Sequence, residues 1–134
     1  MSLIDMLREC GALKFGDFLL ASGKRSTYYV DIKMAVTHPR ILSLIAEMMA
    51  EDIVEKRIAG MELGAVPIAT ALSLKTMKPM LIVRKEKKGH GVGGQIEGVL
   101  EKGDSVVVVE DVITTAGSVL KAVEVLRGAG AEVN

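Results

Sequence analysis

Hydrophobic positions recur with a helical period in four segments of the chain. The spacing predicts a first helix from its N-cap Ser2 to about Cys10. Pro39 suits the first turn of a second helix, predicted over residues 39–57, and Pro67 opens a third that ends near Met77. A fourth amphipathic pattern starts at Gly117 and ends at the glycines after Arg127.

Apolar runs and turn residues predict the strands between these helices. Residues 15–33, FGDFLLASGKRSTYYVDIK, indicate two strands around a Ser-Gly-Lys-Arg turn. Further strands are predicted near residues 57–60, 80–85, 95–100 and 105–109. The last is an unbroken apolar run, typical of a strand buried on both faces. Strands that alternate with helices predict an α/β fold with a doubly wound, mainly parallel sheet.

Composition narrows the class of protein. The 134 residues suit one domain, which we expect to consist of an N-terminal helix and β-hairpin in residues 1–37 and a core in 38–134. Lys plus Arg equals Asp plus Glu at 17 each, so no basic excess indicates nucleic-acid binding. We find neither a signal-peptide pattern nor a stretch long enough to span a bilayer, and we expect a cytoplasmic protein without membrane contact.

The segment VVVVEDVITTAGS, residues 106–118, joins the last predicted strand to the last predicted helix. Ligands of open α/β sheets lie outside the carboxyl ends of the strands, where Glu110 and Asp111 stand. Carboxylates accept hydrogen bonds from sugar hydroxyls and bind cations, whereas a helix N-terminus attracts anions. The segment therefore predicts a sugar-phosphate site, unless the acids are only solvated and the threonines only cap the helix.

Two nucleotide-binding motifs fail when they are compared with the sequence. A P-loop requires Lys after GxxxxG, but GALKFGD has Asp17 at that position. Gly89, Gly91 and Gly94 satisfy GxGxxG, yet the charged run RKEKK precedes them and no helical pattern follows. We therefore reject a P-loop and a dinucleotide-binding fold.

Four segments of the chain together resemble one enzyme family. VVVVEDVITTAGS is similar to the phosphoribosyl pyrophosphate (PRPP) motif of type I phosphoribosyltransferases. FGDFLLASGKRSTYYVD, GMELGAVPIAT and RKEKKGHGVGGQIEG resemble, in that order, three further segments of orotate phosphoribosyltransferases. The resemblance implies the type I phosphoribosyltransferase fold. It also implies phosphoribosyl transfer from PRPP to orotate, which gives orotidine 5′-monophosphate and pyrophosphate in pyrimidine synthesis.

The resemblance assigns a PRPP-binding role to the segment after the valine strand. The acidic pair would contact the ribose hydroxyls, and the loop after it would bind the 5′-phosphate. The expected PRPP motif comprises Glu110, Asp111, Val112, Ile113, Thr114, Thr115, Ala116, Gly117 and Ser118. Thr114 also resembles a threonine that touches orotate.

By itself RKEKK would be a solvated charge run, but RKEKKGH is similar to the family's mobile catalytic loop. The cations expected to meet pyrophosphate are Arg84, Lys85, Lys88 and His90, of which Lys88, Arg84 and His90 are the expected catalytic residues. Cations aimed at departing pyrophosphate lower the barrier most in a site closed against water. The family's loop closes over the partner's site, so the resemblance implies a homodimer with shared sites. It also implies Mg²⁺ held through PRPP and not directly by the protein.

The orotate side departs from the family pattern. Some members carry a lysine where this chain has Ala21, so we expect Lys24 or Arg25 to substitute for it. Tyr29 is the expected residue against the orotate ring, although Tyr28 and Tyr29 could equally be strand core.

The pyrophosphate side and the C-terminus also depart from the family. GMELGAV carries no cation, so backbone amides of residues 62–65 would bind pyrophosphate, with unusual dihedrals at Gly60 and Gly64. Members continue into further strands, one with an arginine for the orotate carboxylate, whereas this sequence stops at Asn134. AEVN resembles the start of a strand, so either the C-terminal strands are missing or base recognition is altered.

Two alternative functions remain at this point. The PRPP motif does not specify the base, so the acceptor could be a purine or another pyrimidine. A regulator of the same fold could sense PRPP without catalysis, and it would have less need for Arg84, Lys88 and His90.

Overall fold

The computed structural model describes residues 2–20, 22–86, 94–112 and 117–134. Its helices are α1 (Leu3–Glu9), α2 (Ile32–Ala35), α3 (Pro39–Ala50), α4 (Val66–Thr76) and α5 (Gly117–Gly128). Its strands are β1 (Leu13–Leu19), β2 (Arg25–Val30), β3 (Arg57–Met61), β4 (Met80–Val83), β5 (Ile96–Glu97) and β6 (Val106–Val109).

The central sheet has the strand order β5-β4-β3-β6. β3 pairs in parallel with both β4 and β6, and only β5 runs antiparallel to its neighbour β4. Every residue of β3 is buried, as expected for the middle strand of a sheet covered on both faces. The mainly parallel sheet predicted from the sequence is confirmed.

Helices cover both faces of this sheet. On one face, Ala122 and Leu126 of α5 pack in a core cluster with Leu81 and Val106. On the other face, α3 and α4 pack against a second cluster that includes Ile58. The doubly wound arrangement is therefore confirmed. Among the described helices, none is both long enough and apolar enough to cross a membrane.

The N-terminal helix and hairpin form a third, smaller packing unit. Ser2 caps α1, since its hydroxyl accepts the N–H of Asp5 at 3.2 Å. β1 and β2 form the predicted antiparallel hairpin. Leu7 of α1 and Ala12 share a buried cluster with Ile41 of α3, which docks this unit against the rest of the molecule.

The helices differ from the prediction at the end of α3 and in the presence of α2. α3 ends at Ala50 and not near residue 57, because the chain must cross from the helix to the start of β3. Lys78 holds this crossing, since its Nζ donates to the carbonyls of Ile53 at 3.3 Å and Glu55 at 2.7 Å. α2 was not predicted, and the side chain of Asp31 begins it by accepting the N–H of Met34 at 3.1 Å.

Ion pairs hold the N-terminal edge of the sheet, opposite the strand ends where ligands bind. The buried Asp104 carboxylate accepts Arg57 Nε at 2.6 Å and Lys56 Nζ at 3.2 Å. The predicted start of a strand at AEVN is visible beside it as a parallel bridge between Ser105 and Glu132. These contacts fix the base of the strand that carries the acidic pair.

Candidate active site

A cleft of about 390 Å³ lies at the carboxyl ends of β3 and β6. Carboxyl ends of neighbouring parallel strands meet at one edge, so side chains that follow them converge there. The described residues that line the cleft come from the N-terminal unit and from the sheet. They are Tyr29, Lys33, Met61, Glu62, Leu63, Gly64, Lys85, Glu110, Asp111, Val112 and Ser118.

The acidic pair is crowded and only partly solvated. The backbone N–H of Asp111 donates to Glu110 Oε1 at 3.0 Å. Burial, followed by the side-chain hydrogen bond and negative charge of Asp111, raises the pKa of Glu110 to about 7, although the Asp111 N–H and the charge of Lys85 act in the opposite direction. Two adjacent carboxyl groups that line a cleft are suited to accept hydrogen bonds from a polyol.

The turn over residues 62–65 lies against this acidic pair. A side chain at Gly64 would collide with Asp111, since an added Cβ would stand 2.7 Å from the Asp111 Cγ. At Gly60 an added Cβ would lie 3.1 Å from the Ala65 carbonyl oxygen. Neither glycine is among the described positive-φ residues, so neither adopts the left-handed backbone that glycine permits. Close approach disfavours a side chain instead: at position 64 it would displace the Asp111 carboxylate, and at position 60 it would pack tightly against Ala65.

The cation-rich segment RKEKKGH, residues 84–90, begins with two residues that are held by hydrogen bonds from two sides. The N–H of Lys85 donates to Glu62 Oε1 at 2.8 Å, which leaves the Lys85 side chain to line the cleft. Arg84 forms an ion pair with Glu97 of β5, with Nε and Nη2 lying 2.9 Å and 2.7 Å from Glu97 Oε1. Lys85 therefore faces the cleft, whereas the Arg84 guanidinium is engaged by β5.

The structure brings together six of the sequence-predicted site residues. Tyr29 from β2 meets the residues after β4 and β6, and the predicted residues in the cleft are Tyr29, Lys85, Glu110, Asp111, Val112 and Ser118. Gly117 is the first residue of α5. Lys24 is exposed in the hairpin turn, and neither it nor Arg84 is among the described residues that line the cleft. The predicted residues outside the described ranges are Lys88, His90, Ile113, Thr114, Thr115 and Ala116.

Sequence reasoning missed Lys33 and the side chain of Glu62. Both line the cleft, Lys33 from α2 and Glu62 from the turn after β3. Lys33 follows Tyr29 by four residues, and the short α2 that presents it had no predictable hydrophobic period. An acid directly after a buried strand was the available signal for Glu62, because the same signal identified Glu110.

The donor set of the cleft fits a cation that arrives with a phosphate ligand. No cluster of three or more His, Cys, Asp or Glu side chains able to hold a metal ion occurs within the described ranges. Glu110 and Asp111 provide hard carboxylate oxygens beside open space. Mg²⁺ commonly binds one or two carboxylates together with substrate phosphates, which is the arrangement this pair allows.

Comparison of the sequence with known proteins identifies its family. The family model of the phosphoribosyl transferase domain matches residues 31–133. The chain is 55% identical over 134 residues to the orotate phosphoribosyltransferase of Methanocaldococcus jannaschii, covering 98% of this chain and 76% of that relative. The sequence identity thus extends across nearly all of the chain.

Solved structures give the same result. The orotate phosphoribosyltransferase of Aeropyrum pernix superimposes with a TM-score of 0.81 at 38% identity, covering 99% of this chain and 77% of that one. The Mycobacterium tuberculosis H37Rv orotate phosphoribosyltransferase in complex with PRPP gives a TM-score of 0.72 at 34% identity, covering 98% and 75%. The chain therefore belongs to the phosphoribosyltransferase family and, within it, to the orotate phosphoribosyltransferases.

Proposed function

We propose that this protein transfers the phosphoribosyl group of PRPP to orotate, giving orotidine 5′-monophosphate and pyrophosphate. The bond between ribose C1′ and the pyrophosphate oxygen breaks, and pyrophosphate leaves with its electron pair. A ring nitrogen of orotate gives up its proton and forms the new bond to C1′. Charge builds on the departing pyrophosphate and on the ribose ring, so positioning and electrostatics supply the catalysis.

One observation supports this assignment more than any other. The cleft joins an acidic pair, a cation and an aromatic ring, which are the groups suited to ribose, pyrophosphate and a planar base. Glu110 and Asp111 come from the end of β6, Lys85 from the end of β4 and Tyr29 from the hairpin. These elements are distant in sequence, and their convergence matches the three parts of the two substrates.

The ribose phosphate is assigned to the junction between β6 and α5. Glu110 and Asp111, both partly buried in the cleft, accept the ribose hydroxyls. Gly117 and Ser118 stand at the N-terminus of the 12-residue α5, where unpaired backbone N–H groups attract the 5′-phosphate. The rest of the assigned phosphate loop, residues 113–116, lies outside the described ranges.

The pyrophosphate is assigned to the part of the cleft that follows β3 and β4. Glu62, Leu63, Gly64 and Lys85 line the cleft there. Arg84 stands next to Lys85, and the remaining assigned cations, Lys88 and His90, lie outside the described residues. When bound together with PRPP, Mg²⁺ would supply further positive charge next to the departing group.

The orotate ring is assigned to the hairpin side, against Tyr29. The Tyr29 ring is partly exposed in the cleft, and a planar base can stack on it. Lys24 and Thr114 complete the assigned set. Lys33, four residues after Tyr29, provides a positive charge on the same wall for the anionic base.

The assembly is assigned as a homodimer with active sites shared between subunits. The hairpin presents large exposed apolar side chains, among them Phe15, Leu19 and Tyr28, and such a surface is available for burial between copies. Sedimentation equilibrium measures the assembly directly, and a monomer at assay concentrations would contradict it.

Base-dependent release of pyrophosphate tests the reaction. The protein is incubated with PRPP and Mg²⁺ and, in separate reactions, with orotate, uracil, adenine or guanine. We expect pyrophosphate release in the reaction with orotate and not in the reactions with the other three bases. Pyrophosphate release only with another base would show that this base, and not orotate, is the acceptor. PRPP binding without pyrophosphate release in the presence of any base would favour the regulatory alternative.

A further inference from the structure

The pairing of β3 with β4 continues beyond the last residues of the two strands. The N–H of Glu62 donates to the Val83 carbonyl at 2.9 Å. In a parallel ladder of this register, the next bond would join the N–H of Lys85 to the backbone carbonyl of Glu62. The N–H of Lys85 donates instead to the side-chain Oε1 of Glu62 at 2.8 Å. The Glu62 carboxylate thus replaces a backbone carbonyl where the main chain enters the 62–65 turn.

Lys85 needs this partner because it stands where the regular sheet ends. The preceding residue, Arg84, is tied to the β5 side: its N–H donates to the Gln95 carbonyl at 2.8 Å, and Gln95 Nε2 donates to the Arg84 carbonyl at 3.3 Å. Glu62 holds the next backbone group from the β3 side. The start of the cation-rich segment is therefore fixed between two strands.

Charge alone does not account for an acid at position 62. Glu62 lines the cleft in the part assigned to pyrophosphate, together with Gly64 and Lys85. A carboxylate there repels an anionic ligand, which works against binding. Its hydrogen bond to the Lys85 backbone gives a physical reason for a side-chain acceptor at this position, because the Lys85 N–H would otherwise lack the carbonyl that the ladder provides.

We propose that Glu62 is a positioning residue that ties the 62–65 turn to the start of the cation-rich segment and thereby holds the Lys85 ammonium at the pyrophosphate end of the cleft. This inference rests on the proposed function, since it concerns how that site holds one of its substrates. Glu62 acts through Lys85, and its carboxylate makes no contact with substrate in this role.

Two substitutions separate the hydrogen bond from the charge. Glu62→Ala removes the acceptor and leaves the Lys85 N–H without its partner. Glu62→Gln keeps a side-chain oxygen of the same reach and removes the negative charge. Glu47→Ala is the control, because Glu47 is an exposed acid on α3 that does not line the cleft.

The readouts are the dissociation constant of Mg²⁺-pyrophosphate from calorimetry and the kcat and KM of orotate turnover. For Glu62→Ala we expect the dissociation constant of pyrophosphate and the KM for PRPP to rise about tenfold, with a smaller change in kcat. Glu62→Gln should stay within about threefold of the unmodified protein, or bind pyrophosphate more tightly. Glu47→Ala should change neither quantity, and circular dichroism confirms that each variant is folded.

Two results would overturn the assignment. Pyrophosphate binding unchanged in Glu62→Ala would show that the tie is dispensable. Glu62→Gln as weak as Glu62→Ala would show that the charge matters and the acceptor does not. If the unmodified protein released no pyrophosphate with orotate, the proposed reaction would fail, while the ratio of pyrophosphate dissociation constants would still decide the role of Glu62.

Discussion

β6 is flanked by acidic side chains at both ends, and the two ends treat charge in opposite ways. Before the strand, Asp104 is 6% exposed and bonded to Arg57 Nε at 2.6 Å. The Arg57 hydrogen bond is the main reason that the pKa of Asp104 falls to about 2. After the strand, burial and the neighbouring Asp111 raise the pKa of Glu110 to about 7.

The comparison separates structural charge from functional charge. Asp104 receives its donors from the protein, so its ionised form stabilises the fold. Glu110 and Asp111 crowd each other, and Lys85 offsets this only in part. In the proposed function, the ribose hydroxyls donate to this second acidic pair. The same class of side chain thus anchors the sheet at one end and is assigned to substrate at the other.

Removing the charge of Asp111 breaks the functional end and is the largest effect expected. Asp111→Asn keeps the shape of the side chain but weakens the acceptor for a ribose hydroxyl. We expect kcat/KM for PRPP to fall roughly 100-fold to 1,000-fold, by analogy with the loss of one charge-stabilising group in other enzymes. Pyrophosphate release measures this loss, and thermal unfolding should show an unchanged Tm.

Asp52→Asn is the control for this substitution. Asp52 is an exposed acid in the segment after α3, remote from the carboxyl ends of the strands. It should alter neither activity nor Tm. A fall in Tm for Asp111→Asn that accounts for its lost activity would contradict the functional role of that carboxylate.

Removing the charge of Asp104 breaks the structural end. Asp104→Asn leaves the buried Arg57 guanidinium without its anionic partner. We expect Tm to fall by roughly 10 °C, while kcat of the folded variant at 25 °C stays within about twofold. Circular dichroism follows unfolding, and turnover is measured well below Tm.

The pH dependence of Tm tests the Asp104 prediction further. A carboxyl whose pKa is lowered from 3.8 to about 2 contributes stability above about pH 4 and loses it as the pH falls towards 2. The Tm difference between the unmodified protein and Asp104→Asn should therefore shrink as the pH falls through that window. A difference that stays constant would mean that the carboxylate is not the stabilising species.

The smallest expected effect is on the free energy of unfolding, which the ionised form of Glu110 lowers. Because its pKa is raised from 4.5 to about 7, its stability contribution is complete below about pH 4.5 and is lost as the pH rises through 7. Glu110→Gln should remove that cost at pH 8, where solvent screening at this half-buried site leaves a gain of about 1 kcal/mol. Urea unfolding at about pH 4.5 and pH 8 tests it, and an equal gain at both would contradict the cause.

Features set by local pattern agree with the sequence prediction. Pro39 and Pro67 lie in the first turns of α3 and α4, and the unbroken valine run forms β6. The acidic pair stands directly after that strand, as predicted. Each of these features depends on residues a few positions apart, so propensity and periodicity are sufficient to find it.

Features set by distant partners escaped the sequence prediction. The end of α3 depends on Lys78, which bonds carbonyls 23 and 25 residues earlier in the chain. The need for glycine at position 64 comes from Asp111, which approaches it across the sheet edge. No window of the sequence contains both partners of either contact.

The sequence by itself determined the alternation of strands and helices, the acidic pair at the end of a buried strand, and the resemblance to the family. Only the tertiary structure decided that Lys33 and Tyr29 share a cleft with that pair, and that Glu62 holds Lys85 while Glu97 engages Arg84. It also decided that Glu110 titrates near neutrality and Asp104 far below it. The physical reason is that burial and hydrogen-bond partners, which set these properties, come from neighbouring strands and not from neighbouring residues.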